Sequence, residues 1–324
     1  MAATVTFMGA DDTTTTTMAD ERALYLKLFS GEVLTAFAEQ TMFIDKHNVK
    51  TISKGKSAQF PLIGRMPAAA YHTPGTELLG QEAPLAEKTI SVERALISHL
   101  FIDNLDEKLA HFEARGELAR NMGIRLSQSF DNHVARQIVA AAASSSPITG
   151  DTTMGGYVIS DDDLKSGTAA TKLAGYVDGI IAAKVNLDTK WVNDGDIYMC
   201  LNPTDYYFLV KEALASGYSL VDQRVGGAGS ISQGKITDFM GVKLMSFPGV
   251  PTTDYSAEDF NAVNCTLTKA LMWTRGAVGT VKVWDIMVEE EYKVNYQGTL
   301  LVAKYAMGHG VLQGECAVQF KTAS

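Results

Sequence analysis

The sequence lacks the arrangements that mark redox centres, membrane spans and secreted proteins. Its only three cysteines, Cys200, Cys265 and Cys316, lie far apart and form no C-x-x-C pair. We therefore expect reduced, mostly buried thiols rather than a zinc or disulfide site. No window contains 18 consecutive apolar residues, and the N-terminus has no basic region followed by an apolar core. Neither a membrane span nor a signal peptide is predicted.

The charge balance argues against tight binding to nucleic acid. The chain has 37 acidic and 28 basic side chains, a formal net charge of −9, and no run of Lys and Arg that could follow a phosphate backbone. Any contact with DNA is therefore expected to be weak and non-specific.

The motifs of enzyme and cofactor sites are absent or incomplete. Gly55-Lys56-Ser57 resembles the end of a phosphate-binding loop, but the glycine required five positions before Gly55 is replaced by Lys50. The glycine-rich stretch at 226–229 has no strand-to-helix unit around it, which indicates a plain loop. No G-x-S-x-G or H-E-x-x-H pattern occurs. We expect no enzyme activity, no catalytic residues and no cofactor.

Sequence spacing also indicates no metal site. The six histidines, among them His99, His111 and His133, are scattered, so packed or exposed histidines are expected. The acidic run 161–163 lacks the glycine and distal glutamate of a calcium loop, which favours a solvated run over a cation site. No metal is predicted.

The longest regular pattern predicts one helix over residues 105–143. Apolar residues recur there every three to four positions, and Asn104 with Glu107 can cap the start. Unbroken, the helix would measure roughly 60 Å. Gly116 and Gly123 share a face, which indicates either the close approach of another segment or a bend. The chain, with 46% hydrophobic residues, is long enough to bury a sizeable core.

Residues 51–102 have the character of extended chain. One strand is predicted around Gln59–Leu62 and a second from Thr89 through Ile102, separated by about 25 residues rich in proline and glycine, an unusual length for a loop in a compact domain. An isolated hairpin is marginally stable in water. The pattern therefore predicts a projecting hairpin that rests on a second surface.

The N-terminal region predicts a loose arm followed by a short amphipathic helix. Residues 1–19 have little to bury. Beyond them, Leu24, Leu28, Val33 and Phe37 recur near helical spacing. This segment either covers the core of its own subunit or lies against a neighbouring one.

The second half of the chain predicts a mixed unit followed by strands. Residues 144–167 are turn-rich and suggest a boundary. Asn202 and Pro203 predict the start of a helix. The side chain of Asn202 can cap it, and the fixed φ angle of Pro203 suits the first helical position. Alternating residues at 292–297 predict a strand with one wet face. The remaining predictions are a helix over 173–185, strands over 197–201 and 236–247, and mainly strands from 269 onward.

Four stretches carry a family resemblance, namely Gly31–Ala38, Ile52–Arg65, Ala277–Lys282 and Ala303–Gly310. In this order and at these separations they closely resemble the major capsid proteins of short-tailed, T7-like double-stranded DNA phages. The resemblance runs the length of the chain in collinear order. It is weakest in the first 20 residues and at 144–170 and 250–268.

The resemblance implies the HK97-type fold of tailed-phage capsids, an α+β architecture with four named parts. The implied parts are an N-terminal arm (1–50), an E-loop hairpin (51–102) that lies across the adjacent subunit, a peripheral domain (103–166 and 269–307) with the spine helix 105–143, and an axial domain (167–268 and 308–324).

The resemblance also implies a structural function. The chain would assemble with copies of itself into hexamers and pentamers of an icosahedral head, with a scaffolding protein and a portal as further partners, and would enclose double-stranded DNA. It would be assembled in the host cytoplasm and become part of the virion. The alternatives are an encapsulin-type shell, which shares the fold but encloses an enzyme, and a soluble hydrolase, for which no nucleophile constellation is present.

Charged residues beside the predicted hairpin are candidates for contacts between subunits. Strands of this kind carry charges at their edges that either stay solvated or meet a partner. A forked pair between Arg65 and a glutamate of the next subunit is one possible arrangement. The full candidate set is Lys54, Lys56, Phe60, Arg65, Glu289, Glu290 and Glu291.

Overall fold

A computed structural model describes residues 32–66, 69, 71–75, 77, 78, 80, 83–103, 114–148, 153–165, 168–192, 195–215 and 238–323. The chain divides into two compact units. The first contains the described residues of Met1–Met42, Arg94–Phe130 and Val283–Met307, and the second those of Phe43–Glu93, Asp131–Lys282 and Gly308–Ser324.

Helices and strands both contribute to the described chain, which confirms the α+β class. The helices are α1 (32–40), α2 (Ala114–Ala143), α3 (Ala169–Thr189) and α4 (Pro203–Ala215). The first strands are β1 (Asn48–Thr51), β2 (Ser57–Ile63), β3 (Leu85–Ser91), β4 (Leu96–Asp103), β5 (Tyr157–Ser160) and β6 (Ile197–Leu201). The later strands are β7 (Asp238–Phe239), β8 (Val242–Ser246), β9 (Thr268–Thr274), β10 (Val278–Lys293), β11 (Gly298–Val311) and β12 (Ala317–Lys321).

These strands form three sheets. One sheet has the order β1-β10-β11-β4, the second β5-β12-β9-β6-β8-β7, and the third is the hairpin β2-β3. The six-stranded sheet lies entirely in the second unit, where α3 and α4 cover it. Its core includes Leu173, Tyr176 and Ile180 of α3 packed with Met272 and Phe320 of the sheet. Apolar burial of this kind supplies the main stabilisation of the unit.

In the first unit α1 packs closely against α2. A Cβ atom added at Gly123 would lie 2.6 Å from the carbonyl oxygen of Val33 and 2.9 Å from Cβ of Ala36. Phe37 of α1 contacts the rings of Phe130 and Tyr305 at centroid distances of 5.8 and 6.3 Å. The prediction of a close approach at this glycine is confirmed. Val33 and Phe37 are buried in the core of their own subunit, whereas the resemblance implied that this segment lies against a neighbouring one.

Several local predictions are confirmed in the second unit. The side-chain oxygen of Asn202 accepts a hydrogen bond from the backbone N–H of Thr204 at 3.3 Å, and Pro203 is the first residue of α4. All three cysteines are buried thiols outside any disulfide. Burial raises the pKa of Cys200 to about 12 and that of Cys265 to about 11, which makes them poor nucleophiles at neutral pH.

Three strand predictions need correction. The predicted strand from Thr89 to Ile102 is two strands, because β3 pairs with β2 whereas β4 pairs with β11, and residues 92–95 connect the two sheets. The predicted strand over 292–297 stops at Lys293, because a 3₁₀ turn and a left-handed Gln297 (φ 51°) reverse the chain into β11. Strand β5 was not predicted within the turn-rich segment.

Some predictions concern parts outside the described residues. They are the arm 1–19 with Leu24 and Leu28, the helix start with Asn104, Glu107 and His111, and the glycine-rich loop at 226–234. The described part of the long helix, α2, has 30 residues, or about 45 Å at 1.5 Å per residue. No helix of the described chain has the length and apolarity that crossing a membrane requires.

Candidate inter-subunit surfaces

The hairpin (residues 57–91) is a regular two-stranded ribbon. Its strands pair from Ser57 with Ser91 to Ile63 with Leu85, and the backbone N–H of Gly64 extends the ladder by donating to the Pro84 carbonyl at 2.8 Å. Side chains alternate between the two faces, as the period of a strand requires. Two strands alone are marginally stable, so the hairpin depends on what its faces contact.

The base of the hairpin packs on its own chain. Ala58 and Ile90, which pair across the ribbon, form a small buried cluster with Val281 and Leu312. Nearer the far end, Gly64 is buried, and an added Cβ there would lie 2.4 Å from Cδ1 of Ile148.

Three glycines allow that packing, and we call them the glycine cluster: Gly279, Gly308 and Gly310. A Cβ atom at Gly308 would lie 2.1 Å from the backbone oxygen of Ser91. At Gly279 and Gly310 it would lie 3.0 and 2.8 Å from side-chain atoms of Ile90. Two of the four family-like stretches therefore carry glycines because the hairpin base passes within contact distance of their backbone.

The loop that closes the hairpin is exposed throughout its described part. Every described residue from 65 to 83 is exposed. Five large apolar side chains stand in solvent on the loop and the strand ends that flank it, and they are Ile63, Met66, Tyr71, Leu78 and Leu85. Tyr71 is as exposed as in an extended chain. An isolated subunit gains nothing from exposing so much apolar surface, and such patches mark protein interaction sites.

The candidate contact residues of this region lie before, within and just after strand β2. Lys54 and Lys56 are exposed in the turn that precedes β2. Phe60 is half-buried, with the ammonium group of Lys50 over its ring at 5.1 Å. The guanidinium of Arg65 donates a hydrogen bond to Oε2 of Glu315 in the same chain at 3.4 Å. This partner within the same chain was not predicted. It shows that Arg65, at the start of the loop, contacts its own subunit.

The three acidic candidates lie on β10, and two of them contact lysines of their own chain. Lys304 of β11 donates to Oε1 of Glu289 at 2.7 Å. Glu291 pairs with Lys293, and Glu290 is half-buried. Whether any of these charges also meets a neighbouring subunit stays a prediction.

The paired strands β10 and β11 carry a second exposed apolar surface in the first unit. Large side chains with 42 to 72% exposure lie along this sheet and its turn, and they are Phe101, Trp284, Met287, Val294 and Tyr296. Like the hairpin loop, this surface has more apolar area than an isolated soluble subunit needs.

Three histidines that are scattered in sequence lie together in the fold. In the second unit His47 and His309 both hydrogen-bond Oγ1 of Thr280, at 2.8 and 2.9 Å. The rings of His133 and His309 are 5.9 Å apart, and Nδ1 of His133 is 3.8 Å from Oε2 of Glu93. We call these five residues the histidine cluster. Sequence spacing missed it because its members lie on five segments that only the tertiary fold brings together.

We predict that acid destabilises the subunit through His47. Burial lowers the pKa of His47 from 6.5 to about 4, against smaller opposing contributions from the hydrogen bond with the Phe43 carbonyl and from Asp45. Between about pH 6.5 and 4 the unfolded chain therefore binds more protons than the folded chain, and stability falls as the pH falls. From pH 7 to pH 5 this one group accounts for about 2 kcal/mol. Urea unfolding of soluble subunits at both pH values measures the loss.

The matched control for this pH effect is His47→Asn, whose amide can replace the donor at Nδ1. The wild type should lose about 2 kcal/mol more than the variant between pH 7 and pH 5. Equal losses for both chains would contradict the assignment.

The remaining motifs have plain structural roles or lie outside the described chain. Asp161 accepts a hydrogen bond from the backbone N–H of Asp163 at 3.0 Å and caps a 3₁₀ turn. Gly55-Lys56-Ser57 leads into strand β2 rather than into a helix, so it lacks the N-terminal helix dipole of a phosphate-binding loop.

Comparison with known proteins identifies the family. The model of the Gp10A-like major capsid protein family matches residues 59–321. The major capsid protein of Escherichia phage T7 is 30% identical over 324 aligned positions, which cover 92% of this chain and 91% of that protein. The chain belongs to the major capsid protein family.

Solved structures agree with this membership. The capsid structure of cyanophage P-SCSP1u matches with a TM-score of 0.74 and 32% identity over 99% of both chains. The mature capsid of bacteriophage PhiM1 matches with a TM-score of 0.68 over 88% of this chain and 87% of that one, and at 14% identity it supports the fold alone. The HK97-type fold is thus confirmed, and the capsid protein is a structural component of a phage head. The encapsulin alternative is not favoured.

Proposed function

We propose that the capsid protein forms hexamers and pentamers of an icosahedral phage head in which each hairpin rests on the adjacent subunit. The observation that carries this proposal is the exposed loop, because every described residue from 66 to 83 is exposed, including three large apolar side chains, while the hairpin base is buried on its own chain. A second subunit would remove Met66, Tyr71 and Leu78 from water.

The parts of the chain take their roles from this arrangement. Residues 1–50 act as the N-terminal arm, and 51–102 contain the E-loop, whose projecting part is the hairpin. Residues 103–166 and 269–307 form the peripheral domain around the spine helix 105–143. Residues 167–268 and 308–324 form the axial domain around the centres of hexamers and pentamers. The packing of α1 on α2 and the six-stranded sheet support these assignments.

Assembly of a phage head and packaging of DNA into it require further partners besides copies of the chain itself. A scaffolding protein guides assembly in the host cytoplasm, and a portal occupies one opening. The enclosed double-stranded DNA makes weak, non-specific contact, which the net charge of −9 supports. The protein has no enzyme activity in this role.

Expression of the full chain with and without its scaffolding protein, followed by electron microscopy, tests the proposal. Shells that are polymorphic or depend on scaffolding support a capsid. Small monodisperse shells with protein cargo would instead indicate a nanocompartment, and a soluble monomer that assembles under neither condition would contradict shell formation.

We propose that Arg65 contributes to the boundary between subunits in addition to its intrachain pair. The side chain is 38% exposed and its contact with Glu315 is long and single, so the guanidinium retains donors for a carboxylate of a neighbour. Arg65→Ala should cost the isolated subunit about 1 kcal/mol or less. Arg65→Glu should lower the disruption temperature of assembled particles, because each shell repeats the contact many times.

The comparison that decides this prediction is Lys165→Glu, an equal change of charge at an exposed residue that is not a candidate for contact between subunits. Heating and salt titration of particles measure both variants. If yield and disruption temperature are unchanged for both Arg65→Ala and Arg65→Glu, Arg65 makes no contact with a neighbouring subunit. Its only role would then be the pair with Glu315 in its own chain.

A further inference from the structure

The histidine cluster brings three metal-ligating side chains to one point inside the second unit. Ligand atoms of Glu93, His133 and His309 all lie within 4.8 Å of one another. Two imidazoles and a carboxylate are the protein ligands of a well-known class of zinc sites, with bonds of about 2.0 to 2.2 Å. Tetrahedral bonds of that length place ligand atoms roughly 3.3 Å apart, so small side-chain rotations would close the site.

A chain of hydrogen bonds fixes which nitrogen of His309 faces the site. Nδ1 of His47 is 2.6 Å from the carbonyl oxygen of Phe43, which can only accept, so this nitrogen carries the proton. Nε2 of His47 must then accept from the hydroxyl of Thr280. The hydroxyl oxygen in turn accepts from Nδ1 of His309. Nε2 of His309, a buried atom, therefore presents its lone pair, as a metal ligand must.

The carboxylate is oriented in a comparable way. Asn261 donates its amide N–H to Oε1 of Glu93 at 2.7 Å, and Gln137 donates to Asn261 at 2.8 Å. The backbone N–H of His309 also donates to Glu93. Oε2 is the oxygen nearer to His133. Outer contacts of this type hold metal ligands in position in known sites.

The electrostatic surroundings of the site include Arg136, whose charge acts on both Glu93 and His133. The pair with Glu258 partly balances the charge of Arg136, whose guanidinium also stacks on the ring of Tyr255 at 3.5 Å.

We propose that Glu93, His133 and His309 bind one divalent transition-metal ion of the zinc type. Two imidazole ligands favour zinc, cobalt, nickel or copper over magnesium and calcium. The ion would join three segments of the second unit: the connection that follows β3, helix α2 and the end of β11. Because Glu93 follows the hairpin by two residues, the metal would fix the hairpin base to the body of its own subunit.

The test uses the untagged full chain, stripped with a chelator, dialysed and titrated with Co²⁺. Bound cobalt should give the visible absorption of a tetrahedral or five-coordinate site and saturate at one ion per chain. Glu93→Gln and His133→Asn should each weaken Co²⁺ binding by more than about 100-fold, since loss of an outer partner alone costs 10- to 100-fold. His99→Asn, at an exposed histidine of β4, should bind like the wild type.

The wild-type chain alone can decide the question if a variant fails to fold. X-ray absorption of the zinc-loaded chain should show two imidazole nitrogens and at least one oxygen around the ion. Added Zn²⁺ should also raise the unfolding temperature of the wild type and of His99→Asn but not of the two cluster variants. No saturable Co²⁺ site, no imidazole around the zinc, or unweakened binding by both cluster variants would overturn the proposal.

Discussion

Replacing residues 65–83 with Asn-Gly should yield soluble subunits that form no shells. The replacement keeps the hydrogen bond between Gly64 and Pro84, and it joins β2 to β3 by a two-residue turn that suits the strand twist. It retains the buried hairpin base and removes Met66, Tyr71 and Leu78. The subunit should keep its fold because these side chains contribute nothing to its own core.

Circular dichroism and sedimentation of the shortened chain measure fold and assembly separately. The control is a full-length chain with His72→Asn and Glu77→Gln, which changes two exposed polar residues of the same loop and should assemble normally. Normal particles from the shortened chain would show that the loop is dispensable for contact between subunits.

Gly308→Ala should destabilise the second unit and reduce the yield of particles. The added methyl group would lie 2.1 Å from the backbone oxygen of Ser91 and 2.8 Å from Cα of Val92, so backbone rather than a flexible side chain must move. Overpacking of this kind costs about 1 to 3 kcal/mol, and we expect the upper end of that range. Gly310→Ala should cost less, because its nearest atoms belong to the movable side chain of Ile90.

Gly80→Ala provides the matched control for both variants, since nothing lies within 4 Å of its added methyl group and its φ lies outside the left-handed region that favours glycine. Urea unfolding of soluble subunits should rank the losses in the order Gly308, Gly310, Gly80. Equal stability of the Gly308 and Gly80 variants would contradict the role given to the glycine cluster.

Local features of the fold were predictable because neighbouring residues encode them. Asn202 and Pro203 correctly predicted the start of α4. Gly123 correctly predicted that another segment lies close to the long helix. The proline- and glycine-rich loop likewise indicated a projecting hairpin. In each case capping, backbone conformation or side-chain periodicity acts within one or two turns of chain.

Features that depend on register between distant segments were not predictable. The break between β3 and β4 arises because each strand pairs in a different sheet, while the sequence through residues 92–95 continues without a strong turn signal. The pair Arg65–Glu315 and the histidine cluster likewise need segments that are remote in sequence. A single sequence contains no spacing rule for such contacts, so only the folded chain shows them.

Electron cryo-microscopy of assembled particles, at a resolution that traces the hairpin, tests the central claim most directly. We predict rings of six and five subunits in which the loop at 65–83 covers its apolar side chains on the adjacent subunit, while Ala58 and Ile90 remain packed on their own chain. A hairpin that contacts only its own subunit, with Met66, Tyr71 and Leu78 still exposed in the assembled shell, would contradict it.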